Sequence, residues 1–526
     1  MTKILRQHQS AAVFSMDGMD KGIVHLPTGT GKTLVISRSI IAEINKSKDP
    51  KVYVILSPRI LLSNQLMDDV FEDLLGTGTD VHRLVIHSGQ LGSDRNNLED
   101  ELDLQYKRDC ISTTSPKEIK EEFNKSKREK VPLLISCTYH SAERLRDSKI
   151  PIEIIYFDEG HYLTREDFSW IVQNTPAKRS FSFTATLRHT PSDEGTGMNN
   201  SELFGEVLYQ ESPHDMILAG EIIRPRIHIV ELSENPDQDE GDGIAVAEAF
   251  RQHSSEVNVG AKMLVVSKDG SEHLNALVSH PAIKQLKRVR TSLIVFDISS
   301  KYGARIDGLS VSRTEFLERL RGLEDRHEAL IIHHDILTEG IDVAGITGVM
   351  PFTFLGMAKF LQLLGRATRL HPQDRKSLYA EELEAEDLAE FVKPYAWVII
   401  PAFGSLGDDL REQLKNLVFA IRSYGFNPSE DIMIRPTRGK KEVVSIDTVS
   451  TPTKMNVGIA KFATEVIHEI ESEEHARYLE LEDAARFDNI TDEMMEKHLA
   501  EFDPKRKVEP EDFAEYLKSI GESYPS

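Results

Sequence analysis

His25-Leu26-Pro27-Thr28-Gly29-Thr30-Gly31-Lys32-Thr33 follows Gly22-Ile23-Val24, which reads as the end of a buried strand, and precedes Leu34-Val35-Ile36, which opens an apolar helical pattern. A strand, a glycine-bearing loop and a helix in that order wrap an anion. Gly29 and Gly31 let the backbone come close, and the loop N–H groups with the positive end of the helix point at phosphate oxygens. Thr28, Gly29, Thr30 and Gly31 thus form a cradle. Lys32 is placed to reach the β- and γ-phosphates, and the Thr33 hydroxyl to hold a magnesium ion. One position departs from the general pattern, because Leu26 stands five residues before Gly31 where a glycine is usual. A phosphate loop by itself does not separate kinase, GTPase, ATPase or motor.

The 526 residues suffice for about three domains of ~150 residues each. Hydrophobic residues make up 40% and charged ones 28%, with no run of ~18 apolar residues that would span a membrane. Two cysteines, Cys110 and Cys137, exclude a disulfide framework and a cysteine zinc cluster, which suits a reducing cytoplasm. The start, MTKILRQHQS, is no signal peptide. A net charge of −23 argues against a surface coated in basic patches. It leaves nucleic acid open as a partner, because affinity there depends on a local groove.

In chain order, Arg6 and Gln9 lie three apart on one face of a short helix, and a Gln amide can read an adenine edge through its paired donor and acceptor. Taken alone, that helix is expected to be exposed. Val52 to Leu56 is a short strand, and Ser57-Pro58 announces a helix. Residues 90–130 are polar without a clear period and read as an insertion. Strands over 133–135 and 152–157 follow, the second ending in Asp158-Glu159-Gly160-His161. Acids immediately after a buried parallel strand face the ligand crevice. Asp158 can hold magnesium through water, and Glu159 can orient and deprotonate an attacking water. The strand over 180–183 runs into Thr184-Ala185-Thr186, a coupling element by its place in the order. Ser212-Pro213 caps a helix that Gly220 closes, so one domain is expected over 1–222.

A second α/β unit is expected over 223–403, with strands at 226–232, 262–266, 292–296 and 329–332 and an acidic loop over 234–243. His333 and His334 invite a metal, but adjacent strand residues point to opposite faces. Gln362, Arg366 and Arg369 recur at helical spacing in FLQLLGRATRL. Opposite an ATP site, such a face supplies arginine fingers; without one it is a solvated basic face.

The ordered set RQHQ, HLPTGTGKT, SPRILLSNQ, ISCTYHS, DEGH, FTATLRHT, LTEGID and QLLGRATR, within about residues 5–375, resembles a superfamily two helicase. It is similar above all to the branch of type I and III restriction motors and double-strand DNA repair helicases. The resemblance implies an α/β fold of two tandem RecA-like domains with ATP and Mg2+ between them. It implies Arg6 and Gln9 at adenine, and Lys32, Thr33, Asp158 and Glu159 at phosphate, metal and water. His161, Thr184, Thr186 and Gln362 would couple hydrolysis to movement. Gly340 and Asp342 would lie near the nucleotide, with Arg366 and Arg369 at the γ-phosphate. Arg59, Thr138, Ser267 and Thr338 fall in motifs that touch a nucleic-acid backbone.

No nuclease signature is found, and the first motif lies within ten residues of Met1, so nothing sizeable is expected before it. Residues 404–526 carry no motif of the family and read as a mainly helical, acidic region. Its charged helix faces are either solvated or a docking surface for a partner subunit. The expected activity is an ATP-dependent helicase or translocase, with DNA the more favoured track than RNA. The other reading is a motor subunit of a restriction, defence or repair complex with little activity alone.

Overall fold

The computed structural model describes residues 5–47, 49–58, 60–87, 111–175, 177–190, 195–232, 238–268, 270–299, 301–334, 345–352 and 363–403 except 381, 386, 388 and 389, with 432–435 and 444–445. Two sheets organise them. The first holds β1 (Lys21–His25), β2 (Val52–Ser57), β3 (His82–Ile86), β4 (Ile111–Ser112), β5 (Leu133–Thr138), β6 (Ile152–Asp158), β7 (Ala177–Thr184) and β8 (Val207–Gln210). Their order is β4-β3-β5-β2-β6-β7-β1-β8, and every pair is parallel. Parallel neighbours need crossovers, and helices supply them, so both faces of the sheet are covered. All six residues of β2 are buried, as are all six of β5. Their side chains alternate between two cores: Val52, Val54 and Leu56 pack on one face, Tyr53 and Ile55 on the other.

Register is what brings the motifs together. β7 and β1 are neighbours, with Thr184 opposite His25, and β6 lies on the other side of β7, with Asp158 opposite Phe183. The segments that follow β1, β6 and β7 therefore emerge side by side at one edge of the sheet, where ligands bind in this architecture.

The second sheet holds β9 (Pro225–Leu232), β10 (Lys262–Val266), β11 (Leu293–Ser299), β12 (Gly303–Ile306), β13 (Leu309–Val311), β14 (Glu328–His333), β15 (Gly348–Pro351), β16 (Ala396–Phe403), β17 (Ile432–Arg435) and β18 (Val444–Ser445). The order is β13-β12-β11-β14-β10-β15-β16-β9-β17-β18, parallel throughout from β11 to β17. The fold class read from the sequence, two tandem RecA-like α/β units, is the one observed. Among the described residues no helix is long and apolar enough to cross a membrane.

Several local expectations need correction. The helix α1 (Gln7–Ser15), expected to be exposed, buries His8 and Gln9. Beyond α2 (Lys32–Lys46) and α3 (Ile60–Gly76), residues 116–129 of the supposed insertion form α4 (Pro116–Glu129), whose N-cap Ser115 accepts from the Glu118 N–H, with Pro at the first turn. After α5 (Pro213–Leu218), the stretch read as an acidic loop is helical from Gln238, in α6 (Gln238–Ser254). Asp307 and Gly308, at φ 53° and 80°, make the two-residue turn of the β12–β13 hairpin, a signal present in the sequence and missed. After residue 403 the described residues are those of β17 and β18, and the rest of the region read as mainly helical lies outside the described residues.

Candidate nucleotide site

The loop between β1 and α2 is built by its glycines. Gly29 and Gly31 take φ 91° and 88°, a region that side chains rarely adopt, and Gly31 is the N-cap of α2. A Cβ at Gly31 would lie 2.4 Å from Gln9 Nε2 and 2.8 Å from Arg6 Nη2, so a second reason for glycine is the approach of α1. That approach centres on one carbonyl. Thr30 O accepts from Arg6 Nη2 at 2.6 Å and from Gln9 Nε2 at 2.9 Å, and lies 3.0 Å from His8 Nε2. Gln9 Oε1 in turn accepts from the Arg6 N–H at 3.0 Å. Arg6 also pairs with Glu221, in the segment that joins the two sheets. Arg6 and Gln9 thus clamp the loop from behind, with His8, which the sequence reading did not single out. Thr30 is buried and its hydroxyl donates to Pro27 O at 2.8 Å. Lys32 and Thr33 open α2.

Across the loop, Lys32 Nζ lies 3.8 Å from Glu159 Oε1. Glu159 directly follows β6 at φ 52°, ψ 48°, a left-handed conformation that swings its carboxylate out of line with the strand. The other carboxylate oxygen lies 3.3 Å from His161 Nδ1, which is also 3.1 Å from Thr184 Oγ1. Thr184 donates its one hydroxyl proton to Thr186 O at 2.8 Å and accepts from the Thr186 N–H at 3.0 Å. It therefore acts as an acceptor toward His161, which carries its proton on Nδ1. Lys32, Glu159, His161, Thr184 and Thr186 thus lie in succession, by close approach from Lys32 to His161 and by hydrogen bonds from His161 to Thr186, and they bring the loop, the acidic motif and the hydroxyl motif together.

Electrostatics follow from burial. Asp158 is 6% exposed, and its carboxyl is pushed up to about 7 by burial and by the Glu159 charge, against the pull of Lys32. Its backbone carbonyl accepts from Tyr139 Oη at 2.6 Å. Burial pushes His161 down to about 4, with the Glu159 charge opposing. The imidazole is therefore neutral at physiological pH.

The second sheet reaches this site through residues 363–369. A Cβ on Gly365 would lie 2.3 Å from Thr28 Cβ, and one on Gly29 would lie 3.1 Å from Arg369 Cγ and 3.4 Å from Gly365 O. Ile222 and Arg369 form an antiparallel bridge, and Thr368 O accepts from the Ile223 N–H at 2.7 Å. Arg366 is buried, and burial with the Arg375 charge pushes the Arg369 guanidinium down to about 10. Residues more than 330 apart in sequence therefore share one contact. Thr138 and Ser267, at the carboxyl ends of β5 and β10, are both buried. Arg59, Thr338, Gly340, Asp342 and Gln362 lie outside the described residues.

Comparison with known proteins fits this geometry. Residues 2–189 match the family described as type III restriction enzyme, res subunit. No curated protein matches the chain. Among solved structures, the ATP-dependent Type ISP restriction-modification enzyme LlaBIII bound to DNA aligns with a TM-score of 0.63 at 15% identity, over 96% of this chain and 35% of that one. A nuclease-deletion mutant of the Type ISP enzyme LlaGI in complex with a DNA substrate mimic aligns at 0.56 and 15%, over 98% and 39%. The DUF1998 helicase MrfA bound to DNA aligns at 0.50 and 14%, over 82% and 52%. The chain thus spans little more than a third of the two restriction enzymes. The match to the res-subunit family is confined to residues 2–189, the part that carries the Lys32 loop and Asp158–His161, and the solved structures share the fold of the whole chain.

Proposed function

We propose that the chain is an ATP-dependent translocase or helicase on nucleic acid, with duplex DNA its track. Domains over 1–222 and 223–403 would close on one ATP. The observation that carries this reading is the seating of residues 363–369 on the phosphate loop, with Gly365 against Thr28 and Arg369 against Gly29. Neither a simple kinase nor a lone nucleotide-binding domain accounts for a second sheet there.

Each role follows from chemistry available in place. The Gly29–Gly31 backbone and the α2 N-terminus hold phosphate, with Lys32 as the cation at the β/γ end. Thr33 and Asp158 suit Mg2+, since a buried carboxyl raised to about 7 is a group that a bound cation returns to its charged form. When bound, the metal supplies charge neutralisation on the phosphate oxygens. Glu159, steadied by Lys32 and His161, takes the proton of the attacking water. A movement of Glu159 would reach Thr184 and Thr186 through His161 Nδ1, which supports a coupling role for these three residues. Arg366 and Arg369 bring fixed charge to the γ-phosphate from the second sheet.

The test is steady-state ATP hydrolysis against single-stranded, duplex and forked DNA and RNA. Duplex DNA should stimulate turnover most, and its apparent affinity should fall steeply with salt, because phosphate contacts release counterions. Turnover indifferent to every nucleic acid would overturn the track. A second reading, a motor subunit that needs a partner chain, draws on the 35% coverage of LlaBIII. It predicts turnover only when that partner is added.

A further inference from the structure

Lys393 is fully buried, and no role in binding phosphate or water falls to it. Its Nζ donates to Ala367 O at 2.5 Å and to Arg369 O at 2.8 Å. The intervening carbonyl, Thr368 O, accepts from the Ile223 N–H at 2.7 Å. Three consecutive carbonyls are thus held where the helical turn at 363–367 ends and the chain runs out to Arg369. Helix ends leave carbonyls without intrahelical partners, and a glycine turn or water usually serves them. Here a lysine reaches in from the segment before β16.

Burying a lysine is expensive, and the hydrogen bonds it gives to the Ala367 and Arg369 carbonyls are what offset the cost. The expense shows in the ammonium, pushed down to about 7 by burial, with the Asp374 carboxylate opposing. Its own backbone is fixed as well. Asp374, in the first turn of α7 (Pro372–Tyr379), accepts from the Val392 N–H at 2.7 Å and the Lys393 N–H at 3.0 Å. A rigid support therefore grips the peptide that carries Arg369, and it grips both sides of the Thr368–Arg369 link. What such a grip determines is the direction in which the Arg369 side chain leaves toward Gly29.

We infer that Lys393 is a positioning residue for the arginine finger, orienting Arg369 on the nucleotide through the Ala367 and Arg369 carbonyls. The inference rests on the motor reading given above for Arg369. It assigns to Lys393 an effect on the transition state with little effect on ATP binding, since the lysine touches no part of the phosphate cradle.

The experiment compares Lys393→Met, Arg369→Ala and the double variant in nucleic-acid-stimulated ATP hydrolysis by the full chain. Lys393→Met should lower kcat by about 10²-fold, the scale of a misplaced catalytic group, with KM for ATP within a few-fold. In the Arg369→Ala background the same change should lower kcat less than twofold further, because the group it orients is gone. Losses that multiply in the double variant, or a loss confined to KM, would overturn the inference. Should Lys393→Met not fold, Lys393→Gln keeps one donor on a shorter stem and should give a smaller kcat loss at unchanged KM; an unchanged kcat would overturn it. Failure of the motor reading looks different, as wild-type protein without turnover on any nucleic acid. Hydrogen exchange then decides for Lys393. Peptides spanning 363–371 should lose protection in the variant while β10 and β14 keep theirs, and unchanged exchange at 363–371 would contradict the support itself.

Discussion

Glu159 holds a left-handed conformation at φ 52°, which costs a non-glycine residue on the order of 1–3 kcal/mol and persists where surroundings enforce it. What the strain achieves is direction: the carboxylate stands between Lys32 and His161 and clear of the strand. Lys32→Ala should weaken ATP binding, because the point charge at the phosphates is lost. Glu159→Gln should keep binding and lower turnover by about 10²- to 10⁴-fold, since the amide fits and accepts no proton. Binding by nucleotide fluorescence and turnover by phosphate release separate the two, and wild-type hydrolysis by Glu159→Gln would remove Glu159 as the base. His161 adds a pH dependence. Its folded value, about 4, lies below its ordinary 6.5, so the unfolded chain binds the extra proton between these values. The stability it contributes is complete above pH 6.5 and lost as pH falls toward 4. Thermal midpoints over that range should drop more steeply for wild type than for His161→Gln; equal slopes would contradict a neutral buried imidazole. The acids were legible in DEGH because they follow a buried strand. The proton on His161 Nδ1 was not, because it depends on which oxygens Thr184 already serves.

Among the elements, α1 shows where sequence reading reaches its limit. RQHQ was readable as a helix start near a nucleotide, yet an amide able to pair with adenine is equally able to hold a carbonyl. Arg6 and Gln9 here hold Thr30 O. Periodicity found the long buried strands for the same reason it missed α4 and the β12–β13 hairpin: burial on both faces makes an apolar run, whereas a polar helix and a tight hairpin signal only through Ser115-Pro116 and Asp307-Gly308. The contact between residues 363–369 and the loop was expected from motif order alone, and its closeness rests on glycine. Gly365→Ala should therefore push the finger segment off Thr28, where its Cβ would lie at 2.3 Å. Turnover should fall at least tenfold while ATP affinity stays within a few-fold, with loop and α2 untouched. Wild-type turnover in steady-state assays would show that the two elements need not meet this closely.

At the scale of the whole molecule, a net charge of −23 and a nucleic-acid track are compatible only if binding is confined to a local groove between the halves. On the proposed reading the cleft that would grip the track would also hold the nucleotide, and the segment Glu221-Ile222-Ile223 touches both sides of it, through Arg6 and through Arg369 and Thr368. ATP-driven movement, on that reading, would be an opening and closing about that segment. The central claim is that one nucleotide is completed by residues from both sheets. It is tested most directly by the steady-state turnover of Arg369→Ala at saturating ATP and duplex DNA. A finger acts mainly in the transition state, so turnover should fall by roughly 10³-fold or more with ATP affinity changed only modestly, and Arg366→Lys should also remain impaired for want of the planar fork. Near-wild-type turnover by Arg369→Ala would contradict the claim and leave the phosphate loop without its cross-domain partner.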